Sequence, residues 1–381
     1  MKIVYYLPSL YTPGGLERII TLKANYLADN FGFDITILTS EQNGQRPYYP
    51  LSENVKHVDL NVKFDIPRTQ SKYKKLLLYP FRYQRFKSRF TQYLLENNPD
   101  ITISTLRREL NFLNSIKDGS KKVGEFHVTR NSYHANAVKG ENLIISFLKK
   151  QWSKSFVKNI RKLTKFVVLT HEEAGFWSEL NNITVVHNPL TFYPDSVSSC
   201  TAKQVIAVGR YAYQKGFDML IESWKIVTEK HPDWVLKIYG GGNRTQYENQ
   251  VKQLQIEATC KLEDAVTDII SKYHESSVFV LSSRFEGFGM VITEAMSCGL
   301  PTVSFACPCG PKDILKDKED GLLVEPENIR ELADNICFLI ENEEIRKKMG
   351  IQARINSERF KMEKIALQWK NLFEGLVVSG N

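Results

Sequence analysis

Two glutamates, Glu286 and Glu294, lie eight positions apart and bracket a glycine-containing turn in the segment EGFGMVITE, which follows the apolar run VFVLSS. One continuous helix would hold them about 12 Å apart. A turn instead leaves Glu286 at the mouth of a helix and places Glu294 inside it. The free N–H groups and the dipole at a helix mouth favour a phosphate or diphosphate, and a carboxylate further along suits the hydroxyls of a ribose.

The pattern therefore predicts a nucleotide-sugar site, with an ordinary strand, turn and helix carrying solvated glutamates as the alternative. In this prediction Glu294 binds the ribose and Glu286 positions the sugar. The backbone that assists Glu286 belongs to four consecutive residues, Gly287, Phe288, Gly289 and Met290.

Two cations, Arg210 and Lys215, lie five positions apart in GRYAYQKG, between a strand-like run and a helical pattern. Arginine offers a planar fork to two oxygens, whereas lysine is a movable point charge. On a loop before a helix, such a pair could neutralise a departing diphosphate. Two surface cations without a ligand are the alternative.

Together, EGFGMVITEAMSCGLP and GRYAYQKG resemble the donor site of glycosyltransferase family 4, whose members are retaining enzymes of the GT-B fold. The loop PGGLER is similar to the family's GG-x-ER loop, so the resemblance implies that Gly14 and Gly15 face the donor phosphate. It also implies that His127, which ends the run KKVGEFH, lies near the transferred sugar. The resemblance covers most of the chain, is strongest over residues 209–321 and is weakest over 42–121.

The resemblance implies that the cations stabilise the leaving diphosphate while a glutamate and a histidine contact the sugar. The predicted catalytic residues are Glu286, His127, Arg210 and Lys215. No side chain is an obvious nucleophile, and retention in the family is thought to involve front-face attack, with the donor phosphate taking the acceptor's proton. We expect no essential metal and no other cofactor, because the chain has no Asp-x-Asp and the two cations would do the work of the metal.

Other positions near these motifs leave alternatives open. Arg18 and Glu17 contact the acceptor or are only capping charges, and Arg130 binds an acceptor phosphate or is structural. His187, Asn188 and Pro189 resemble the family's interdomain segment and are expected to be structural or a hinge. Gly310 and Pro311 are expected to border the donor sugar.

Strand-like apolar runs alternate with helical patterns along the whole chain, which is typical of α/β proteins with parallel sheets. The series occurs twice, so we predict two Rossmann-like domains, at 1–195 for the acceptor and 196–361 for the nucleotide-sugar. Residues 197–204 form the predicted linker. The GT-B resemblance adds parallel sheets facing a central cleft and a last helix, at about 362–381, that crosses back onto the first domain.

The 381 residues carry a net charge of +8, but residues 1–190 alone have 28 Lys and Arg against 16 Asp and Glu. Two tracts without an acid, residues 66–95 and 142–171, hold much of this excess, and aromatic residues are interleaved with the first. Such tracts favour an anionic membrane surface, although nucleic acid or a plain solvated surface would also suit them. We expect a membrane partner and no nucleic acid.

The six cysteines all follow residue 199 and include no C-x-x-C pair, so we predict reduced, buried thiols. No run is long enough to span a bilayer, and the N-terminus has no signal-peptide pattern. These features predict a cytoplasmic protein that binds peripherally to the inner face of the plasma membrane.

We therefore predict a retaining hexosyltransferase that moves a hexose or N-acetylhexosamine from a nucleotide-sugar to a saccharide acceptor. By analogy with surface-polysaccharide members of the family, the donor is expected to be UDP-linked and the acceptor lipid-linked, in lipopolysaccharide or capsule assembly. Two alternatives stay open. One is a nucleotide-sugar 2-epimerase on the same fold, and the other is a non-catalytic nucleotide-sugar or nucleic-acid binding protein.

Overall fold

The computed structural model describes residues 1–62, 64, 72–130 and 143–378, with side chains described except at 72–76 and 143–150. Parts of three predictions lie outside the described residues. They are the stretch of the first basic tract that includes Arg68, the first residue of the second tract at 142, and residues 379–381 of the last predicted helix. The side chains of Lys72, Lys74, Lys75, Lys149 and Lys150 also lie outside.

The N-terminal lobe is built on a parallel sheet with the strand order β3-β2-β1-β4-β5-β6-β7. Its strands are short apolar runs whose residues are mostly buried, as expected for a parallel sheet covered on both faces. They are β1 Lys2–Tyr6, β2 Asp34–Thr39, β3 Val55–Asp59, β4 Ile101–Ser104, β5 Lys121–Phe126, β6 Lys165–Val168 and β7 Ile183–Val185. The described helices between them are α1 Gly15–Phe31, α2 Lys72–Asn97, α3 Leu110–Leu113, α4 Leu143–Ile160 and α5 His171–Gly175.

The C-terminal lobe repeats the scheme with the order β10-β9-β8-β11-β12-β13, again with parallel pairing. Its strands are β8 Gln204–Val208, β9 Val235–Tyr239, β10 Cys260–Glu263, β11 Val278–Leu281, β12 Thr302–Phe305 and β13 Gly321–Val324. Its helices are α6 Phe217–Lys230, α7 Thr245–Gln253, α8 Ile269–His274, α9 Met290–Ser297, α10 Pro311–Ile314, α11 Ile329–Glu341 and α12 Glu343–Ser357. Short 3₁₀ turns occupy Tyr213–Lys215 and Glu358–Phe360.

The last helix, α13 Met362–Val378, packs on the N-terminal lobe. Trp369 and Phe373 are buried in the same apolar cluster as Ile3 of β1 and Ile20 of α1. The ammonium of Lys23, on α1, lies 3.9 Å from the centre of the Trp369 ring. The chain thus begins and ends in one lobe, and the two Rossmann-like domains with parallel sheets that the sequence predicts are confirmed.

In each sheet the strand order reverses once, between β1 and β4 in the first lobe and between β8 and β11 in the second. Ligands of open parallel sheets bind beyond the carboxyl ends of the strands at such switch points. The predicted site motifs follow β1, β8 and β11, so the topology brings them to the two switch points. Residue His127 follows β5, the neighbour of β4.

All six cysteines are free and buried, which confirms the prediction of thiols that act as small core residues. Among the described residues, no helix combines the length and the apolar character that a bilayer crossing needs.

Candidate functional site

A cavity of about 430 Å³ lies between the two lobes and is lined by residues of both. It contains most of the residues that the sequence predicts for the site. Those on its wall are Gly15, His127, Arg210, Lys215, Glu286, Gly287, Phe288, Gly289 and Met290. Two predicted residues, Gly14 and Glu294, are not on the wall.

Glu286 is buried within the loop between β11 and α9, and its carboxylate is held by hydrogen bonds. The Lys215 ammonium donates to its Oε1 at 2.7 Å, and the Ser283 hydroxyl donates to the same oxygen at 2.6 Å. The backbone N–H of Glu286 donates to the carbonyl of Pro308 at 3.0 Å. This carboxylate and this cation therefore form one preorganised unit, in which the loops after β8 and β11 meet.

Glycines allow these two loops to approach each other and the other lobe. Gly216 has a φ of 61°, and a Cβ there would lie 2.0 Å from the carbonyl oxygen of Ser282. A Cβ on Gly287 would lie 2.5 Å from the carbonyl oxygen of His127, across the lobe boundary. Only glycine fits both positions, because no side chain can be inserted at those distances.

Arg210 differs from Lys215, because its exposed side chain makes no hydrogen bond or ion pair within the described residues. It follows β8, and the next residue, Tyr211, donates its backbone N–H to the carbonyl of Gly241 at 2.8 Å. A guanidinium without a partner on a fixed loop is suited to an anion that enters the cavity.

The N-terminus of α9 supplies a second anion-binding element on the same wall. Gly289 is its N-cap with a φ of 93°, and no side-chain hydrogen bond caps the helix there. The first-turn N–H groups of a helix are the ones without intrahelical partners. Since Gly289, Met290 and Val291 line the cavity, this helix end and Arg210 can serve the same phosphate group.

Glu294 lies inside α9, as the sequence predicts, but its carboxylate is held by residues outside the cavity wall. Thr191 donates to its Oε1 at 2.6 Å, and Arg18 of the other lobe donates to the same oxygen at 3.2 Å. Burial raises the pKa of the Glu294 carboxyl, while the Arg18 charge opposes that shift. The structure gives Arg18 a third role beside the two alternatives left open, an interlobe ion pair with Glu294, while Glu17 accepts a hydrogen bond from Thr12.

His127 is tied to a buried ion pair that sequence reasoning missed. Its Nε2 lies 3.1 Å from Oε1 of Glu125, and the same oxygen pairs with the buried Lys23 ammonium. Burial alone would raise the pKa of Glu125, but the charges of Lys23 and His127 outweigh it and lower the pKa to about 2. Glu125 is thus a carboxylate next to the histidine. Glu125 lies two residues before His127, and residues two apart in an extended strand share one face. This spacing was the signal in the sequence that could have predicted the pair.

The remaining predicted residues are mostly structural. Arg130 is not on the wall of the interlobe cavity; it pairs with Glu179 at 2.8 Å and lies 4.3 Å from the centre of the Trp177 ring. The expectation that it could bind an acceptor phosphate is therefore not supported. The Nδ1–H of His187 donates to the carbonyl of Leu169 at 2.7 Å, and the ring packs on Phe288.

Gly310 and Pro311 do not line the cavity, and Gly310 instead packs on the loop between β11 and α9. It has a φ of 134°, and a Cβ there would lie 2.1 Å from the carbonyl oxygen of Phe288. The segment that contains Gly310 also joins the lobes, since Cys309 donates its backbone N–H to Glu172 at 2.8 Å and Asp313 of α10 accepts from the N–H of His171 at 2.6 Å. Sequence reasoning missed these contacts as well.

Two Rossmann-like lobes with a cation-lined cavity between their switch points define the GT-B architecture. Residues 194–356, most of the C-terminal lobe, match the family model described as glycosyl transferases group 1. An uncharacterized glycosyltransferase of Haemophilus influenzae is 29% identical over 378 residues, which cover 97% of this chain and 99% of that protein. The amylovoran biosynthesis glycosyltransferase AmsD of Erwinia amylovora is 26% identical over 387 residues, with 97% and 99% covered.

Among solved structures, a variant of S. aureus TarM in complex with Fondaparinux, alpha-GlcNAc-glycerol and UDP has the same fold. The TM-score is 0.76 at 19% sequence identity, covering 98% of this chain and 99% of that one. This likeness shows the fold, and the class of enzyme is shown by the family match and the full-length relatives. The protein is a glycosyltransferase of GT-B fold with a group 1 domain, and it is related to enzymes of polysaccharide biosynthesis.

Proposed function

We propose that the protein is a retaining glycosyltransferase of family 4 that takes a hexose or N-acetylhexosamine from a UDP-linked donor and transfers it to a saccharide acceptor. The observation that carries the proposal is the convergence of Lys215, Glu286 and the unpaired Arg210 on one interlobe cavity. The TarM structure whose fold this chain shares holds UDP, which supports a uridine diphosphate donor.

In the proposed reaction the donor diphosphate lies against Arg210, Lys215 and the N-terminus of α9. As the bond between the sugar C1 and the phosphate oxygen breaks, negative charge grows on the diphosphate, and preorganised positive charge stabilises it. The acceptor oxygen forms its bond to C1 on the same face. Its proton passes to the departing phosphate oxygen, so the configuration at C1 is retained without a protein nucleophile.

Glu286 and His127 would contact the sugar from opposite lobes. Lys215 and Ser283 both donate hydrogen bonds to Oε1 of Glu286. The other carboxylate oxygen is therefore left for a sugar hydroxyl. We also propose that Glu294 binds the ribose. In this step its ion pair with Arg18 breaks, and its carboxylate accepts hydrogen bonds from the ribose hydroxyls instead. The partial exposure of the Arg18 side chain, 29%, supports its release.

No divalent metal is needed in this proposal, because two cations and a helix N-terminus face the diphosphate. We expect UDP-sugars, but not GDP- or ADP-sugars, to raise the midpoint of thermal unfolding in buffer containing EDTA. Ligand at 100 times its Kd stabilises the folded state by about 2.7 kcal/mol through mass action. Stabilisation that appears only after Mg²⁺ or Mn²⁺ is added would contradict the proposed metal-free site.

We propose further that the protein binds the inner face of the plasma membrane through the basic tracts. On α2, large apolar side chains are exposed next to arginines, with Leu77 72% and Phe81 75% exposed. Each Lys or Arg near an anionic surface contributes about 1 kcal/mol. A relative named for amylovoran biosynthesis supports an acceptor in polysaccharide assembly.

We expect the protein to sediment with vesicles that contain phosphatidylglycerol and not with neutral phosphatidylcholine vesicles. Serine at both Leu77 and Phe81 should reduce the bound fraction severalfold, whereas serine at the exposed Leu367 of α13 should not. Raising the salt concentration should release the protein, because it screens the charges. Equal binding to both kinds of vesicle would count against this surface.

A further inference from the structure

A row of charged side chains runs from the interlobe cavity into the interior of the N-terminal lobe. It begins at His127, which lines the cavity and whose side chain is 12% exposed. The His127 Nε2 atom lies 3.1 Å from Oε1 of Glu125, and the same oxygen pairs with the Lys23 ammonium. The side chains of Glu125 and Lys23 are both 1% exposed, and neither residue is on the cavity wall. The pair therefore reaches the cavity only through the histidine.

The last helix of the chain covers the inner end of this row. The Lys23 ammonium lies 3.9 Å from the centre of the Trp369 ring, on α13, and 5.4 Å from that of the Tyr5 ring, on β1. Ring faces attract a cation, and the attraction is stronger where the cation is removed from water. The two rings therefore hold the Lys23 charge in a fixed place beside Glu125.

Stability alone does not account for this ion pair. Glu125 lies on β5, an inner strand of a parallel sheet, where apolar residues are the rule. Replacing a buried ion pair by apolar residues of similar size is often neutral or stabilising. One carboxylate oxygen of Glu125, Oε2, is buried and has no hydrogen-bond partner among the described residues. A pair that served only to hold the fold together would have its polar atoms satisfied.

The contact with Glu125 decides which nitrogen of His127 carries a proton. A carboxylate only accepts hydrogen bonds, so Nε2, the imidazole nitrogen that faces it, is the protonated one. Apart from Glu125, Nε2 has no polar partner within the described parts of the chain. Its N–H direction is not ideal for a hydrogen bond here, and such bonds commonly tighten when a substrate binds. The other nitrogen, Nδ1, is left for a ligand in the cavity.

We propose that Glu125 and Lys23 are positioning residues for the transfer reaction. They fix the orientation and the protonated nitrogen of His127, so that its Nδ1 atom contacts a hydroxyl of the transferred sugar. This inference rests on the proposed function, in which His127 contacts that sugar. Trp369 keeps Lys23 in place, so the helix that crosses back onto the first lobe takes part in the arrangement. The effect falls on the rate of transfer, because a group misplaced by about 1 Å can cost about 10²-fold.

Single substitutions would leave one buried charge without its partner and would endanger folding. The test therefore uses two double variants. Lys23→Met/Glu125→Leu replaces both charges by apolar side chains of similar size, whereas Lys23→Met/Glu125→Gln keeps an oxygen that can accept from Nε2. We expect the unfolding midpoints of both variants to lie within about 5 °C of that of the unmodified protein. The activity measurement is steady-state transfer from a UDP-sugar.

The kcat of Lys23→Met/Glu125→Leu should fall about tenfold or more, with the donor KM changed less than about twofold. Lys23→Met/Glu125→Gln should regain most of the lost activity. As a control, Lys122→Met/Asp118→Asn neutralises another buried ion pair of this lobe, which is not on the cavity wall, and should leave kcat unchanged. An unchanged kcat in the first variant, or equal losses in both, would overturn the proposal, because a structural role alone does not distinguish two variants of equal stability.

A second measurement does not depend on the folding of the double variants. In ¹⁵N NMR spectra of the unmodified protein, Nε2 of His127 should carry a proton, and its signals are assigned by their loss in His127→Gln. A proton on Nδ1 with Nε2 bare would overturn the proposal. The thermal shift with UDP-sugar should persist in both double variants. Its absence in the unmodified protein would refute the proposed function instead.

Discussion

Replacing Glu286 by alanine is expected to lower kcat by about 10²–10³, the loss typical of removing one preorganised group from a transition state. Glu286 is buried, its carboxylate accepts hydrogen bonds from Lys215 and Ser283, and the residue lines the interlobe cavity. Without it, the sugar loses a partner and the lysine loses the group that fixes its position. The measurement is steady-state transfer from a UDP-sugar.

Two further variants sharpen this prediction. Glu286→Gln keeps the shape but not the charge, so its kcat should lie between those of the alanine variant and the unmodified enzyme. Glu257→Ala removes an exposed glutamate of the same lobe and should leave kcat unchanged. Near-normal turnover in Glu286→Ala would remove this residue from the proposed mechanism.

Replacing Arg210 by alanine is expected to reduce kcat by a similar factor, about 10²–10³, with a smaller rise in the donor KM. The reason is that charge on the diphosphate grows as the glycosidic bond breaks, so the guanidinium stabilises the transition state more than the bound donor. Arg210 gives a cleaner result than Lys215, whose removal would also free the Glu286 carboxylate. Folding should be little affected, because the side chain is exposed.

Arg210→Lys should recover part of the activity, since it restores a point charge without the fork. Arg330→Ala is a matched control, because this arginine of α11 is 74% exposed and pairs only weakly with Asp334 at 3.7 Å. A rise in donor KM with unchanged kcat in Arg210→Ala would assign the residue to ground-state binding. That result would contradict its role toward the leaving group.

The sheets and the donor loops could be predicted from the sequence because their signals are local. Most strands are short apolar runs, although β3 and β10 are not, and GRYAYQKG and EGFGMVITE follow β8 and β11. In parallel sheets such positions meet at one edge, so spacing alone predicts their proximity. Lys215 and Glu286 do line the same cavity, as the position of both loops at the carboxyl ends of parallel strands predicts.

The contacts between distant parts of the chain could not be predicted in this way. The Arg18–Glu294 pair joins residues 276 positions apart, and Lys23 reaches Glu125 across 102 positions. No period or motif connects such residues, because their meeting depends on how helices and lobes pack. For the same reason Arg130 could be considered an acceptor ligand, although its charge pairs with Glu179 within its own lobe.

The most direct test of the central claim follows the anomeric proton by NMR while the enzyme acts on an α-linked UDP-sugar with EDTA present. The acceptor is supplied as a lipid-linked saccharide. We predict that a new α-glycoside and UDP appear at equal rates, and that both are lost in Glu286→Ala. A β-glycoside, a sugar epimer without transfer, or a reaction that stops when metal is chelated would contradict it.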